Sequence, residues 1–217
     1  MKTLDQSYYC GASTTQIIYE TIGVYFDRIC DQYPDKDALI VRHQSVRWTY
    51  RELQEQVDQL AKGLLALGVA PGDRVGIWGP NSYEWVMVQL ATAKIGAIMV
   101  CINPAYRLYE LEFALNKVEC KVVITAEKFK TSDYLGMLNT LAPELANSKP
   151  GVLQAEKLPH LRTVIRMGTA ETAGMLNFAA VCRLGGADEG HQLRALQGQL
   201  KPDDAINIQF TSGTTGN

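Results

Sequence analysis

The sequence AINIQFTSGTTG at residues 205–216 places a hydroxyl- and glycine-rich loop directly after a strand-like apolar segment. Gly213 and Gly216 allow the backbone to adopt positive φ and to approach a ligand closely. Side-chain hydroxyls and the intervening N–H groups can donate hydrogen bonds to phosphate oxygens. Those hydroxyls belong to Thr211, Ser212, Thr214 and Thr215. The run therefore predicts a phosphate-binding loop. For the motif taken alone, a Ser/Thr/Gly surface turn is the alternative.

The loop differs from the common P-loop in spacing and in residue types. Its two glycines lie three residues apart, and no Lys-Ser or Lys-Thr pair follows Gly216. Residues 11–15 and 168–174 have a similar composition. Neither of these stretches follows a convincing strand and opens a helix, so we predict that they are ordinary loops.

Composition excludes several classes of protein. With 217 residues and 47% hydrophobic content, the chain can build a sizeable core. Its 21 basic and 23 acidic residues give a net charge of −2 without blocks of like charge, so nucleic acid is not an expected partner. The longest apolar stretch, residues 86–102, is interrupted by polar residues and a glycine. We therefore expect a soluble protein with no transmembrane segment.

Cysteine and histidine usage indicates a reducing compartment and no metal site of the usual kind. The five cysteines include no Cys-x-x-Cys pair, and none of the three histidines has the spacing of a zinc ligand. The first twenty residues show neither an apolar core nor an arginine-rich amphipathic pattern, so no targeting signal is expected in this chain.

Alternating helix and strand patterns predict an α/β fold with a largely parallel sheet. Helices are expected at residues 22–33, 50–67, 83–95, 108–116 and 134–141, and strands at 38–41, 46–49, 74–78, 97–102, 121–125 and 161–167. The first two strands should form a peripheral antiparallel hairpin. Thr49 and Glu52 fit a capping box, and Gly68 fits a helix C-terminal cap.

Several residues outside the terminal loop carry reactive or aromatic groups but are predicted to be structural. Asn103 and Pro104 follow a predicted parallel strand, where ligands often bind, yet their residue types fit a turn in which Asn103 bonds local backbone. Arg107 belongs to the same loop. The three tryptophans, Trp48, Trp78 and Trp85, are expected in the core. Lys94 is predicted to be a snorkelling helix residue.

The chain resembles the acyl-adenylate-forming (AMP-binding) superfamily, which includes acyl-CoA synthetases. Besides the terminal loop, the resembling segments are TYREL at 49–53, GDRVGI at 72–77, NS at 81–82, KIGA at 94–97 and INPAYR at 102–107. They occur in the family's order and spacing. Within the superfamily the chain is most similar to the mitochondrial medium-chain acyl-CoA synthetases, acyl-CoA synthetase family member two. The Pro-Lys-Gly that normally follows the family's phosphate loop is missing.

The resemblance implies a ligase that activates a fatty acid with ATP and Mg²⁺ to an acyl-adenylate and then transfers the acyl group to coenzyme A. In that reaction Thr211, Ser212, Gly213, Thr214, Thr215 and Gly216 would hold the β- and γ-phosphates. In members of the family, the catalytic residues and metal ligands all lie downstream of the position that corresponds to Asn217. The resemblance also implies a mitochondrial location, with the cytoplasm as the alternative.

The resemblance divides the chain into an N-terminal extension, residues 1–21, and a part of the family's large domain, residues 22–217, that ends within the phosphate loop. That domain is built from layered, mostly parallel sheets with helices. We expect the isolated chain to be inactive and the activity to belong to a longer ligase. The alternative is a shortened, non-catalytic chain that binds a nucleotide weakly or pairs with another subunit.

Overall fold

A computed structural model describes residue 14 and residues 17–211 of the chain. The helices are α1 (Ile22–Gln32), α2 (Tyr50–Ala66), α3 (Tyr83–Ile95), α4 (Leu108–Lys117), α5 (Tyr134–Leu141), α6 (Phe178–Val181) and α7 (Ala187–Gln197). The strands are β1 (Asp37–Val41), β2 (Val46–Thr49), β3 (Arg74–Trp78), β4 (Ile98–Ile102), β5 (Val122–Thr125), β6 (Lys128–Phe129), β7 (Ser132–Asp133), β8 (Thr163–Arg166), β9 (Leu176–Asn177) and β10 (Asn207–Gln209). Short 3₁₀ helices span Arg42–Gln44 and Pro143–Asn147.

The centre of the fold is a six-stranded sheet in the order β10-β4-β3-β5-β8-β9. Every pair of neighbouring strands in it is parallel. The predicted α/β class with a parallel sheet is therefore confirmed. The predicted hairpin is also confirmed, because β1 and β2 pair antiparallel outside this sheet. No helix in the described part of the chain is long and apolar enough to cross a membrane.

Helices cover both faces of the sheet because the strand side chains alternate between two cores. On one face, Val75 and Ile77 of β3 pack with helices α1, α2 and α3. On the other face, Trp78 of β3 and Val123 of β5 pack with helices α4 and α5. The connection from β3 to β4 therefore runs on one face, and the connection from β4 to β5 runs on the other.

Local signals in the sequence mark the helix ends correctly. The Thr49 hydroxyl accepts a hydrogen bond from the Glu52 N–H at 3.3 Å, and the Glu52 carboxylate accepts from the Thr49 N–H at 2.8 Å, as the capping-box prediction requires. After α2, Gly68 adopts a left-handed φ of 77°. After α3, Gly96 does the same at 73°. A side chain would be strained at both positions, so glycine ends these helices.

The segment between β5 and β10 contains elements that the sequence pattern does not predict. These are the hairpin β6–β7, the strand β9 and the helices α6 and α7. Helix α7 lacks a recognisable apolar face, since Leu193 is its one buried side chain. At its first turn the Glu189 carboxylate accepts the Gly186 N–H at 2.7 Å, and this hydrogen bond lowers the pKa of Glu189.

The prediction that Lys94 snorkels to solvent is wrong. Its side chain is 2% exposed, and its ammonium group forms ion pairs with Asp27 of α1, at 2.7 Å, and with Asp58 of α2. The Asp27 carboxylate also accepts hydrogen bonds from Gln54 at 2.7 Å and from Gln197 at 2.8 Å. Lys94 therefore lies at a polar junction where α1, α2, α3 and α7 meet.

Buried thiols should be almost inert toward alkylation. Burial raises the pKa of the Cys120 thiol to about 12 from an ordinary 9.0, so its thiolate fraction at pH 8 falls by about a thousandfold. Burial raises the pKa of Cys30 to about 11. Half-buried Cys101 should react before both of them. We expect iodoacetamide at pH 8, followed by peptide mass spectrometry, to label Cys101 well before Cys30 and Cys120. Equal labelling rates for Cys101 and Cys120 would contradict this placement.

Candidate functional site

The predicted phosphate loop leaves the sheet at its carboxyl edge. Strand β10 runs parallel to β4, with Gln209 opposite Cys101 at the end of the pairing. The chain therefore emerges from β10 beside the end of β4, at the edge where ligands bind in parallel α/β sheets. Thr211 is exposed there. Ser212, Gly213, Thr214, Thr215 and Gly216 lie outside the described residues.

The loop that follows β4 forms the neighbouring part of this edge. In this loop, residues 103–107, the Asn103 side-chain oxygen accepts the Ala105 N–H at 2.9 Å. The Asn103 carbonyl accepts the Tyr106 N–H at 3.0 Å. The prediction that Asn103 bonds local backbone is confirmed. The Tyr106 ring contacts the Phe210 ring edge-on, with 6.4 Å between centroids and 64° between the planes.

Two buried aromatic residues hold the 103–107 loop from beneath. The Trp78 indole N–H donates to the Asn103 carbonyl at 3.1 Å, and the Tyr134 hydroxyl donates to the Pro104 carbonyl at 2.9 Å. Their rings lie 4.2 Å apart, and both side chains are fully buried. Burial raises the pKa of Tyr134, and Arg107 opposes that shift. The phenol therefore stays a neutral hydrogen-bond donor at neutral pH.

Cationic side chains also occur along the carboxyl edge. The Arg107 guanidinium is exposed and donates to the Thr131 hydroxyl at 3.3 Å. After β8, Arg166 pairs with Glu127 at 2.5 Å and donates to the Thr172 hydroxyl at 3.0 Å. The Arg166 guanidinium is thus ion-paired with Glu127, and beside Arg107 the Glu110 carboxylate accepts the Arg107 backbone N–H at 3.2 Å.

The structure separates the predicted site residues from those that the sequence analysis missed. Thr211 lies at the expected strand end, and Trp78 is a core aromatic residue, as predicted. The sequence analysis did not single out Tyr106 or Tyr134. Tyr134 bonds the 103–107 loop, and Tyr106, within that loop, contacts Phe210 directly after β10. A tyrosine next to an Asn-Pro turn after a strand was the available signal for Tyr106. No local signal marked Tyr134.

Among the described residues, no cluster of three or more His, Cys, Asp or Glu side chains is arranged to hold a metal ion. The described part of the edge instead offers hydroxyl, amide and guanidinium groups, which suit the binding of anionic oxygens.

Comparison with known proteins identifies the family of this chain. The model of the protein family described as "AMP-binding enzyme" matches residues 26–217. The chain belongs to the AMP-binding enzyme family. Relatives of this AMP-binding chain include the rat protein "Medium-chain acyl-CoA ligase ACSF2, mitochondrial", which is 45% identical over 97% of the chain.

Solved structures of other proteins share the fold. The anthranilate CoA ligase AuaEII, in complex with anthranoyl-AMP, superposes with a TM-score of 0.72 at 23% identity, covering 93% of this chain and 34% of that one. The N-terminal domain of FACL13 from Mycobacterium tuberculosis superposes with a TM-score of 0.69 at 27% identity, covering 91% of this chain and 42% of that domain. The chain spans about a third of the rat ligase's length, 34%.

Proposed function

We propose that this chain is the N-terminal segment of an AMP-forming acyl-CoA ligase that acts on a medium-chain fatty acid. The observation that carries the proposal is the exit of β10 at the carboxyl edge of a parallel sheet, directly before the hydroxyl- and glycine-rich loop. The similarity to the rat medium-chain ligase supports the acyl substrate and a mitochondrial location, with the cytoplasm as the alternative. Residues 1–21 would be an extension to the partial domain at 22–217.

In the proposed reaction the fatty-acid carboxylate attacks the α-phosphorus of ATP, and the bond to the leaving pyrophosphate breaks. The thiol of coenzyme A then attacks the acyl carbonyl and displaces AMP. Thr211, Ser212, Thr214 and Thr215 would donate hydrogen bonds to the β- and γ-phosphates. Gly213 and Gly216 would permit close approach of the backbone. These residues would orient the leaving group in line with the carboxylate, without exchanging protons.

The test is a chimera in which this chain replaces the matching segment of the rat ligase. We expect the chimera to release pyrophosphate from ATP in the presence of a medium-chain fatty acid, and the 217-residue chain alone to release none. In the chimera, Thr214→Ala should lower kcat/KM for ATP roughly 10- to 100-fold, because a hydrogen bond to a charged oxygen is lost.

The matched control is Thr169→Ala, which changes a threonine in the 168–174 loop of similar composition and should leave kcat/KM unchanged. Equal losses in the two variants would argue against the phosphate loop. Pyrophosphate release by the 217-residue chain alone would refute its proposed inactivity.

Thermal unfolding with Mg-ATP tests the alternative function, a non-catalytic chain that binds a nucleotide. Nucleotide at about a hundred times its Kd would stabilise a binding module by about 2.7 kcal/mol, whereas a ligase segment lacking the remainder of its site should melt unchanged.

A further inference from the structure

A pocket of about 470 Å³ opens between the β1–β2 hairpin and helices α2, α3 and α6. It lies on the face of the sheet that α1, α2 and α3 cover, because its buried side chains belong to the core on that face. No residue of the 103–107 loop or of β10 lines it. Its volume falls in the range of about 300 to 1,000 Å³ in which proteins bind small molecules. The pocket is therefore a separate place from the carboxyl-edge site at which a ligand can be held.

Three aromatic rings form a continuous wall of this pocket. The Tyr83 ring meets the Trp48 ring edge-on with 5.3 Å between centroids, and it meets the Phe178 ring edge-on with 6.4 Å between centroids. Phe178 is 2% exposed, and Met87, which also lines the pocket, is 1% exposed. The inner part of the pocket is therefore apolar and suits a planar ring, which gains dispersion and edge-to-face contacts there.

The polar groups beside the aromatic wall already have partners. The Gln44 amide nitrogen donates to the Glu84 carboxylate at 2.8 Å, and the Gln44 amide oxygen accepts the Tyr83 backbone N–H at 2.8 Å. Burial, and after it the charge of Glu84, raises the pKa of the Tyr83 phenol to about 12. Glu84 itself is 3% exposed and lies behind the lining. Because this buried carboxylate repels an anion, the inner end of the pocket suits the uncharged part of a ligand.

The polar groups at the mouth of the pocket have no such partners. Gln59 and Arg183 are exposed and Gln56 is half-buried. Within residues 17–211, the side chains of these three residues form no hydrogen bond or ion pair. Arg183 is the one charged side chain among the described lining residues. A guanidinium binds a carboxylate through two parallel hydrogen bonds, and the carboxamides can donate further ones. The mouth therefore suits an anionic group.

We propose that this pocket binds a small aromatic carboxylic acid, with its ring against Trp48, Tyr83 and Phe178 and its carboxylate at Arg183. The apolar inner part and the buried Glu84 carboxylate direct the ring inward, and Arg183 directs the carboxylate to the mouth. A neutral amide of the same shape keeps the ring contacts but loses the ion pair. The inference does not depend on the proposed function, because the two sites share no residue.

The first test is a titration of the 217-residue chain with 2-naphthoate, followed by saturation-transfer difference NMR. We expect saturable binding with a Kd of about 1 mM or below, from the binding energy per atom that is usual for small ligands. The neutral isostere 2-naphthamide should bind about five- to tenfold more weakly, because a hydrogen bond between charged groups is lost. Arg183→Gln should abolish this preference. The matched control is Arg194→Gln, which changes an exposed arginine on α7 outside the pocket and should preserve the preference.

A pocket-filling variant locates the ring. Ala179→Trp places a large side chain in the lining and should prevent binding of both ligands, with circular dichroism as the check that the variant is folded. Absence of saturable 2-naphthoate binding, an unchanged preference in Arg183→Gln, or unchanged binding to a folded Ala179→Trp would each overturn the proposal. If Ala179→Trp does not fold, Arg183→Gln still decides, because its side chain is exposed.

The second test uses Cys182, which lines the pocket, as a local reporter. Burial raises its pKa to about 11, so iodoacetamide labelling is followed at pH 9. At about ten times its Kd, 2-naphthoate should slow labelling of Cys182 about tenfold and leave labelling of Cys101 unchanged. The chimera with the rat ligase should show the same protection. Equal protection of Cys101, or loss of the Cys182 protection in the chimera because the remainder of the ligase covers the pocket, would overturn the proposal. A chimera that shows the protection but releases no pyrophosphate would refute the proposed function alone.

Discussion

Trp78→Ala is expected to lower the free energy of unfolding by about 3 to 5 kcal/mol, as full truncation of a buried tryptophan usually does. The Trp78 side chain is 0% exposed and lies at the end of β3, where it packs against Tyr134. The substitution removes this contact, leaves a cavity and deprives the Asn103 carbonyl of its indole donor. Urea unfolding followed by far-UV circular dichroism measures the loss.

Two further variants separate packing from hydrogen bonding at this position. Trp78→Phe keeps most of the aromatic contact and should cost only about 1 to 2 kcal/mol, mainly for the lost hydrogen bond. Trp85→Ala is the matched control, because Trp85 is a half-buried tryptophan on the neighbouring α3 and should cost less than Trp78→Ala. Equal destabilisation by Trp78→Ala and Trp85→Ala would contradict the central role of Trp78 beneath the 103–107 loop.

Lys94→Met is expected to cost about 3 kcal/mol, the lower end of the range for removing one partner of a buried ion pair. The substitution keeps an unbranched apolar stem but leaves Asp27 and Asp58 facing each other without the cation. The side chains of these aspartates are 24% and 37% exposed, so water relieves part of the repulsion. Urea unfolding again provides the measurement, and Lys117→Met, at an exposed helix end, should change stability by less than about 0.5 kcal/mol.

A compensating variant tests the electrostatic explanation. Adding Asp27→Asn and Asp58→Asn to Lys94→Met removes the unpaired charges and should recover at least half of the lost stability. If Lys94→Met were as stable as the parent, or if the triple variant were less stable than Lys94→Met alone, the ion-paired junction would not contribute as described.

The sequence alone was sufficient for the elements that local rules control. Helix α2 has clear apolar periodicity, and its two ends carry the predicted caps, Thr49 and Gly68, that the structure shows. The strands β3, β4 and β5 read as short apolar runs between turn residues and are found within a residue of the predicted bounds. These signals are reliable because they depend on neighbours within a few positions.

Helix α7 and strand β9 could not be predicted from such local signals. The first presents a single buried side chain, Leu193, and the second has two residues, so neither carries a periodic pattern. Lys94 was misread for a related reason. A lysine in an apolar helix is expected to extend its ammonium group to water. Here two other helices, α1 and α2, instead bring the carboxylates of Asp27 and Asp58 to Lys94.

For the candidate site, the sequence by itself determined the loop chemistry, the residue types that suit phosphate binding and the strand that precedes them. Only the tertiary structure decided that β10 pairs with β4, that Trp78 and Tyr134 hold the 103–107 loop, and that Tyr106 meets Phe210. The physical reason is that hydroxyls, glycines and apolar runs act through local backbone geometry. The partners of a buried ring or an edge strand are instead chosen by packing between segments far apart in the chain.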